Sequence, residues 1–215
     1  MTVRRDATLR RMTRTATPDG TAVVTMELER GVVGDLATMS DLRDAAAERD
    51  TLAAAGRLVT AARAADIPVV HCVAEWRADR VGTTLNTPLT RALARRPEQI
   101  LAGTAAIELV PELGDTGGDL HSVRRHGLTP FPGTDLDPLL RSLGAERIVV
   151  AGVSLNVGVT GLVMGAVDLG YEVIVATDAV VGVPPTYGDE MLAGTIAMLA
   201  DLRSVQEIVA DWNDH

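Results

Sequence analysis

The sequence has few aromatic residues, one cysteine and no long apolar run. Aromatic residues make up 2% of the 215 positions, so the core must be built mainly from Val, Leu, Ala and Ile. The single cysteine, Cys72, excludes an internal disulfide and a multi-cysteine metal cage, which suits a reducing cytosol. No apolar stretch approaches the length of a membrane span, and no signal-like segment follows the N-terminal arginines. We therefore expect a cytoplasmic protein with no membrane partner.

Positive charge is scarce in relation to negative charge. The chain has 29 Asp and Glu residues against 20 basic ones, which gives a net charge of −9, and the isoelectric point is near 4.9. Nucleic acids and anionic membranes are bound by clustered positive fields, which this balance argues against. A small-molecule substrate and no nucleic-acid partner are the expectation.

The length indicates one domain. A chain of 215 residues can form one substantial core and is too short for two ordinary domains. Residues 1–20 carry five arginines with little apolar periodicity, which predicts a flexible N-terminal tail. The alternative is an arm that packs on another subunit. Residues 21–215 are predicted to form a single domain.

Six short segments, mostly apolar except for a more polar third one, alternate with segments of helical spacing. The strands are predicted at Ala22–Leu28, Val69–Val73, Leu120–Arg124, Ile148–Ala151, Glu172–Ala176 and Leu202–Arg203. From residue 36 to 65 the pattern fits either one long helix or a loop followed by a helix. Parallel strands need helical crossovers, so the alternation predicts a three-layer α/β/α fold with a six-stranded, mostly parallel sheet of Rossmann-like type.

The segment Arg147–Tyr171 is the clearest strand, turn and helix in the chain. The apolar run that ends at Gly152 is followed by Ser154, Leu155 and Asn156, and then by apolar residues at helical spacing. In a parallel sheet, the backbone N–H groups of such a turn face the crevice at the carboxyl end of the strands. This turn is therefore a candidate site for an anion or a developing oxyanion.

Glu27 is the most conspicuous charged residue of the predicted strands. It lies at the carboxyl end of the first strand, between the apolar residues Met26 and Leu28. One interpretation is a strand-end acid that faces solvent. The other is a general acid or base at the mouth of the sheet, where ligands bind in folds of this type.

Three segments together resemble the isochorismatase-like hydrolase superfamily, which includes cysteine amidohydrolases and the isochorismatases proper. They are TAVVTMELERGVVG, SVRRHGLTPFPGTDLDPLLRSLG and GVSLNVGVTGLVMGAVDLGYEV. The resemblance implies an Asp after the first strand, a Lys before the F-x-G-T-x-L segment and a Cys in the turn. These positions correspond to Glu27, Arg125 and Gly158, although a register shift of one residue would replace Arg125 by Arg124.

All three residues differ from those usual in the superfamily. Gly158 has no side chain, so the thioester route of the amidohydrolases is closed. The resemblance implies that Gly158 is compatible with activity, because isochorismatases proper also have Gly there and rely on the acid. Arg125 keeps its proton at working pH and can act only as a fixed charge or a carboxylate clamp. The alternative for Arg125 is a solvated arginine at a strand end.

Further residues are candidates for substrate binding because of their place in the loops after the strands. They are Trp76, Arg124, His126, Ser154, Leu155 and Asn156. His71 and His126 could assist proton transfer. Cys72 is interpreted as a core residue rather than a nucleophile. We expect no metal and no cofactor, because no His/Asp cluster with ligand spacing follows the second strand.

The resemblance also has structural implications. Relatives have a cis peptide bond near the turn, which here would be Val153–Ser154, and they are commonly dimers or larger, which implies a homo-oligomer. Two functions remain. The first is a cysteine-independent hydrolase of a small, carboxylate-bearing molecule, in which Glu27 is the general acid or base and Arg125 binds the carboxylate. The second is a non-catalytic relative that binds a small anion or a partner subunit.

Overall fold

A computed structural model describes residues 20–96 and 100–213 of the chain. The predicted N-terminal tail lies outside these residues, except for Gly20. The strands are β1 (Thr21–Met26), β2 (Val69–Ala74), β3 (Leu120–Arg124), β4 (Arg147–Val153), β5 (Glu172–Val181) and β6 (Asp201–Arg203). The helices are α1 (Ser40–Glu48), α2 (Thr51–Ala64), α3 (Pro88–Leu93), α4 (Leu136–Ser142), α5 (Thr160–Asp168), α6 (Pro185–Ala193) and α7 (Val205–Asn213).

The six strands form one sheet in the order β3-β2-β1-β4-β5-β6. Every neighbouring pair is parallel. The prediction of a six-stranded parallel α/β sheet is therefore confirmed. From β1 the chain continues through β2 to β3 at one edge of the sheet. It then returns to β4, beside β1, and continues through β5 to β6 at the other edge. The strand order therefore reverses between β1 and β4. Folds of this kind bind ligands at that point, beyond the carboxyl ends of the strands.

Alternate residues of the central strands pack into two separate cores, one on each face of the sheet. Val23 and Val149 belong to a core with residues of α1, α2 and α7. Val24 and Val150 belong to a second core with residues of α4 and α5. Because both faces are covered, the strands are apolar along their whole length rather than alternating. This arrangement is the predicted three-layer α/β/α architecture.

Two local features differ from the prediction. The segment from 36 to 65 contains two helices, because Asp50 adopts a left-handed conformation with a φ of 51° and separates α1 from α2. Strand β5 is longer than predicted and reaches Val181. After a register shift, β5 continues along β4, with Gly152 paired to Val180. The longer β5 places the loop that precedes α6 beside the turn that follows β4.

Within the described part of the chain, no helix is both long enough and apolar enough to span a membrane.

Candidate active site

A cavity opens at the carboxyl edge of the sheet, at the reversal point between β1 and β4. Glu27, Arg124 and Gly158, which come from three different strand ends, all line this cavity. Most of the remaining wall is apolar. It includes Val32, Met39, Leu42, Trp76, Leu89, Leu93, Ile100, Leu128 and Val157. A small group of polar side chains in a largely apolar concave site is typical of small-molecule binding sites.

Glu27 directly follows β1 and has an unusual backbone conformation. Its φ is 51°, a left-handed value that costs a residue with a side chain about 1–3 kcal/mol. Its N–H donates to the carbonyl of Cys72 at 2.8 Å, which extends the pairing of β1 with β2. The side chain is 17% exposed and lines the cavity. The strained backbone thus directs a carboxyl group into the cavity.

Arg124 is the last residue of β3 and forms the ion pair with Glu27. Its Nη2 donates to Oε1 of Glu27, and its Nη1 donates to the carbonyl of Gly127. The Arg124 side chain is 10% exposed, so both partners are mostly shielded from water. Charge-assisted hydrogen bonds of this kind are stronger than neutral ones.

Arg125, which was predicted to hold a substrate carboxylate, pairs with Glu75 rather than with Glu27. Its Nη2 donates to Oε1 of Glu75 at 2.5 Å, and its side chain is 55% exposed. Successive side chains at a strand end point to opposite sides, so only one of the two arginines can turn toward Glu27. Arg124, the other candidate for the lysine position, is the arginine that contacts Glu27. Arg125 lines the same cavity nearer to solvent.

The turn after β4 has the predicted form of strand, turn and helix. The Val153–Ser154 peptide bond is cis, as the resemblance implied. Leu155–Val159 forms a π-helical turn that leads into α5. Gly158 lies in this turn, and a Cβ atom there would be 2.9 Å from Cε of Met26 and 3.0 Å from the carbonyl oxygen of Val153. Met26 therefore occupies the space that a side chain at position 158 would need.

Two residues predicted to bind substrate do not lie on the cavity. Leu155 is buried in the second core. Asn156 donates from Nδ2 to the carbonyl of Val183 and accepts the N–H of Val183 at Oδ1, both at 2.7 Å. With its amide engaged on both sides, Asn156 ties the β4 turn to the loop before α6. Both residues thus make structural contacts, and their role in substrate binding stays a prediction.

The other predicted binding residues line the cavity, namely Ser154, Trp76 and His126. Trp76 is nearly buried, and the guanidinium carbon of Arg80 lies 4.3 Å from its ring centroid, within the range of a cation–π contact. His71 does not line the cavity. Its Nδ1 lies 2.7 Å from the hydroxyl of Thr25 and its Nε2 lies 3.0 Å from Oδ2 of Asp119. His71 is therefore held in a buried network of its own.

Cys72 has the environment of a core residue. It is buried in the second core, and burial, with a smaller contribution from the charge of Glu27, raises the pKa of its thiol. A thiol that stays protonated is a poor nucleophile.

Two carboxyl groups near Glu27 were not among the predicted site residues. Glu75 follows β2 directly, and Glu29 lies two residues beyond Glu27 with a fully buried side chain. Burial raises the pKa of Glu29 well above its ordinary value, and the charges of Glu27 and Glu75 act in the same direction. Glu75 could have been found by the argument that singled out Glu27, since both residues follow parallel strands.

The acidic residues near the cavity are not arranged as a metal centre. Over residues 20–96 and 100–213, no group of three or more His, Cys, Asp and Glu side chains has an arrangement that could hold a metal ion.

The sequence of this chain is similar to that of known proteins. The sequence model of the isochorismatase domain matches residues 21–207. The isochorismatase family protein YecD of Escherichia coli O157:H7 is 29% identical and aligns with 88% of this chain and 94% of its own. The ureidoacrylate amidohydrolase RutB of Rhizobium rhizogenes is 30% identical, with 87% and 83% of the two chains aligned.

The fold is also similar to that of solved structures. The crystal structure of an isochorismatase family protein from Desulfovibrio vulgaris superposes with a TM-score of 0.75 at 23% identity. The superposition covers 88% of this chain and 96% of that protein.

Proposed function

This chain belongs to the isochorismatase family, and on that premise we propose that it hydrolyses a small molecule without a cysteine nucleophile. The observation that carries the proposal is the Glu27–Arg124 ion pair, which lies in one cavity with the side-chain-free position Gly158. An acid and a cation thus remain together where the nucleophile is missing. The relative RutB is named as an amidohydrolase of ureidoacrylate, which supports a small substrate here as well.

Glu27 is the group we assign to proton transfer. Its carboxyl group faces the cavity, where it can protonate a leaving group or take a proton from an attacking water. Arg124 holds this carboxyl group in place through a hydrogen bond to Oε1. Because arginine keeps its proton, Arg124 cannot exchange roles with Glu27.

The turn at 157–158, which lines the cavity, is the group we assign to charge stabilisation. Its backbone lies at the start of the helical segment that leads into α5, where N–H groups and the helix dipole favour negative charge. With Gly158 in place of a nucleophile, no covalent intermediate forms on this turn, and water is the attacking group.

Arg125 and His126 are the groups we assign to a substrate carboxylate. Both line the cavity, and the guanidinium of Arg125 is half-exposed beside Glu75. Arg124 is less suited to this task because both of its terminal nitrogens already donate to protein oxygens. The apolar side chains of the cavity, which include Trp76, would contact the rest of the substrate.

Two observations favour the second candidate function, a non-catalytic binding protein. Glu27 and Arg124 engage each other, and Met26 occupies the space beside Gly158. A binding protein needs only the shape and charge of the cavity, whereas an enzyme needs the carboxyl group of Glu27 to exchange a proton.

A substrate screen separates the two candidates. Purified protein is incubated with small amides, vinyl ethers and carboxylates, and product is followed by mass spectrometry, with Glu27→Gln as the control for background hydrolysis. Turnover by the wild type that Glu27→Gln lacks supports the hydrolase. Saturable binding of an anion without turnover supports the binding protein, and equal turnover by both proteins rules out Glu27 as the catalytic group.

A further inference from the structure

Glu29 is a buried titratable residue that the proposed mechanism does not use. Its Oε1 accepts the N–H of Ala74 at 2.8 Å, at the end of β2. Its Oε2 is buried and has no hydrogen-bond partner among the residues that the structure describes. The side chain therefore joins the segment after Glu27 to the neighbouring strand through one oxygen and leaves the other unpaired.

The charged and titratable groups around Glu29 lie at or near the carboxyl ends of β1, β2 and β3. They are Glu27 after β1, Cys72 in β2, Glu75 after β2 and Arg124 at the end of β3. Two of them are carboxylates, so an ionised Glu29 would add a third negative charge to the group.

The nearby guanidinium groups are committed to other carboxyl groups. Arg124 donates to Glu27 and to the carbonyl of Gly127. Arg125 donates to Glu75. A buried ionised carboxylate without a paired cation is strongly disfavoured, and such a group takes up a proton instead. Burial and the charge of Glu27 raise the pKa of Glu29, and they outweigh the opposing effects of the Ala74 N–H and Arg124.

We propose that Glu29 is a positioning residue that keeps its proton at neutral pH. Arg124 then pairs with the carboxylate of Glu27 and not with that of Glu29. An ionised Glu29 would compete with Glu27 for the same guanidinium and loosen the pair on which proton transfer depends. A neutral Glu29 keeps the segment tied to Ala74 without competing. The proposal rests on the proposed function, in which Glu27 is the group that meets the substrate.

Infrared spectroscopy tests the protonation state directly in the full-length protein. A protonated carboxyl group has a C=O stretch well separated from the carboxylate bands, and labelling of glutamate with ¹³C shifts it, which assigns it to Glu. We expect this band in the wild type at pH 7 and in the control Glu75→Gln, and we expect it to be missing in Glu29→Gln. A wild type without the band overturns the proposal, as does a band that persists in Glu29→Gln.

The pH dependence of stability gives a second measurement. The pKa of Glu29 is raised in the folded state above the ordinary value of 4.5. Its contribution to stability is therefore complete below that value and is lost as pH rises toward the raised pKa. Relative to Glu29→Gln, the folding equilibrium constant of the wild type should fall by about tenfold per pH unit in this window. A ratio that does not change with pH overturns the proposal.

Turnover gives a third measurement once the screen has identified a substrate. Glu29→Gln keeps a neutral side chain of the same length and should retain most of kcat. Glu29→Asp moves the carboxyl group away from Ala74 and should lower kcat more than it raises KM. An equal loss in both variants would overturn the positioning role. A protein with no turnover at all would sink the proposed function and leave the infrared and stability results intact.

Discussion

Arg124 donates a hydrogen bond from Nη2 to Oε1 of Glu27, although the two residues are 97 positions apart in the chain. β2 lies between the strands that carry them, and parallel strands bring their carboxyl ends to one edge of the sheet. The chain contains no lysine, so a residue of another type stands at every position where a relative has a lysine. A guanidinium at this position keeps its charge and is suited to holding a carboxylate in a fixed orientation.

Glu27→Gln should abolish most of the activity without preventing folding. The amide keeps the size of the side chain and can accept a hydrogen bond from Arg124, but it cannot transfer a proton. We expect kcat to fall by about 10²–10⁴-fold with little change in binding. Glu172→Gln is the matched control, since Glu172 is an exposed ion-pair partner of Arg147. Full activity in Glu27→Gln would remove Glu27 from the mechanism.

The neighbouring arginines provide a matched pair of variants. Arg124→Ala leaves Glu27 without its cation in a mostly shielded site, so both kcat and the melting temperature should fall. Arg125→Ala removes a half-exposed guanidinium, and we expect it mainly to raise KM for an anionic substrate. Steady-state kinetics and thermal denaturation distinguish the two. A larger effect of Arg125→Ala on kcat would return the catalytic cation to Arg125.

Sequence patterns predicted β1, β2 and β4 well, because each of these strands is a mostly apolar run that is buried on both faces, and such a run can be recognised without knowledge of its neighbours. Which of Arg124 and Arg125 contacts Glu27 was not predictable. The answer depends on the residue at which β3 ends, because successive side chains of a strand point to opposite faces of the sheet. The same applies to Asn156, whose partner Val183 lies 27 positions away on another loop. A polar residue in a turn looks the same in sequence whether it meets a substrate or a backbone amide.

Cys72→Ser should leave activity in place. Cys72 is buried and burial raises the pKa of its thiol, so neither exposure nor ionisation favours a role as nucleophile. The native protein should react slowly with a disulfide reagent such as dithionitrobenzoate, and the unfolded protein should react at once. Loss of turnover in a folded Cys72→Ser protein would instead indicate a thiol mechanism.

Asn156→Ala should lower stability. The substitution removes two hydrogen bonds to Val183, and it leaves a backbone N–H and a carbonyl in a partly buried loop without their partners. We expect the free energy of unfolding to fall by about 1–3 kcal/mol. Asn86→Ala, in an exposed loop, is the control. A stable Asn156→Ala protein with a raised KM would restore the interpretation of Asn156 as a substrate contact.

Gly158→Cys tests whether the site can accept a cysteine at the position where the nucleophile is missing. A Cβ atom at position 158 would lie too close to Cε of Met26 and to the carbonyl of Val153, so either the methionine or the turn must move. We expect the free energy of unfolding to fall by about 1–3 kcal/mol, as for other overpacked sites. Gly118→Cys is the control, because a Cβ atom there meets nothing within 4 Å.

The thiol in Gly158→Cys should also fail to produce amidase activity. Met26 occupies the space beside position 158, and Glu27 stands where the amidohydrolases of the superfamily have an Asp. If Met26 is the obstacle, the double variant Met26→Ala/Gly158→Cys should be destabilised by less than the sum of the single effects, since the two residues contact each other. Urea denaturation of the four proteins measures this coupling. Strict additivity would mean that Met26 does not restrict position 158, and a cysteine there that hydrolyses amides would show that the rest of the thiol mechanism had survived.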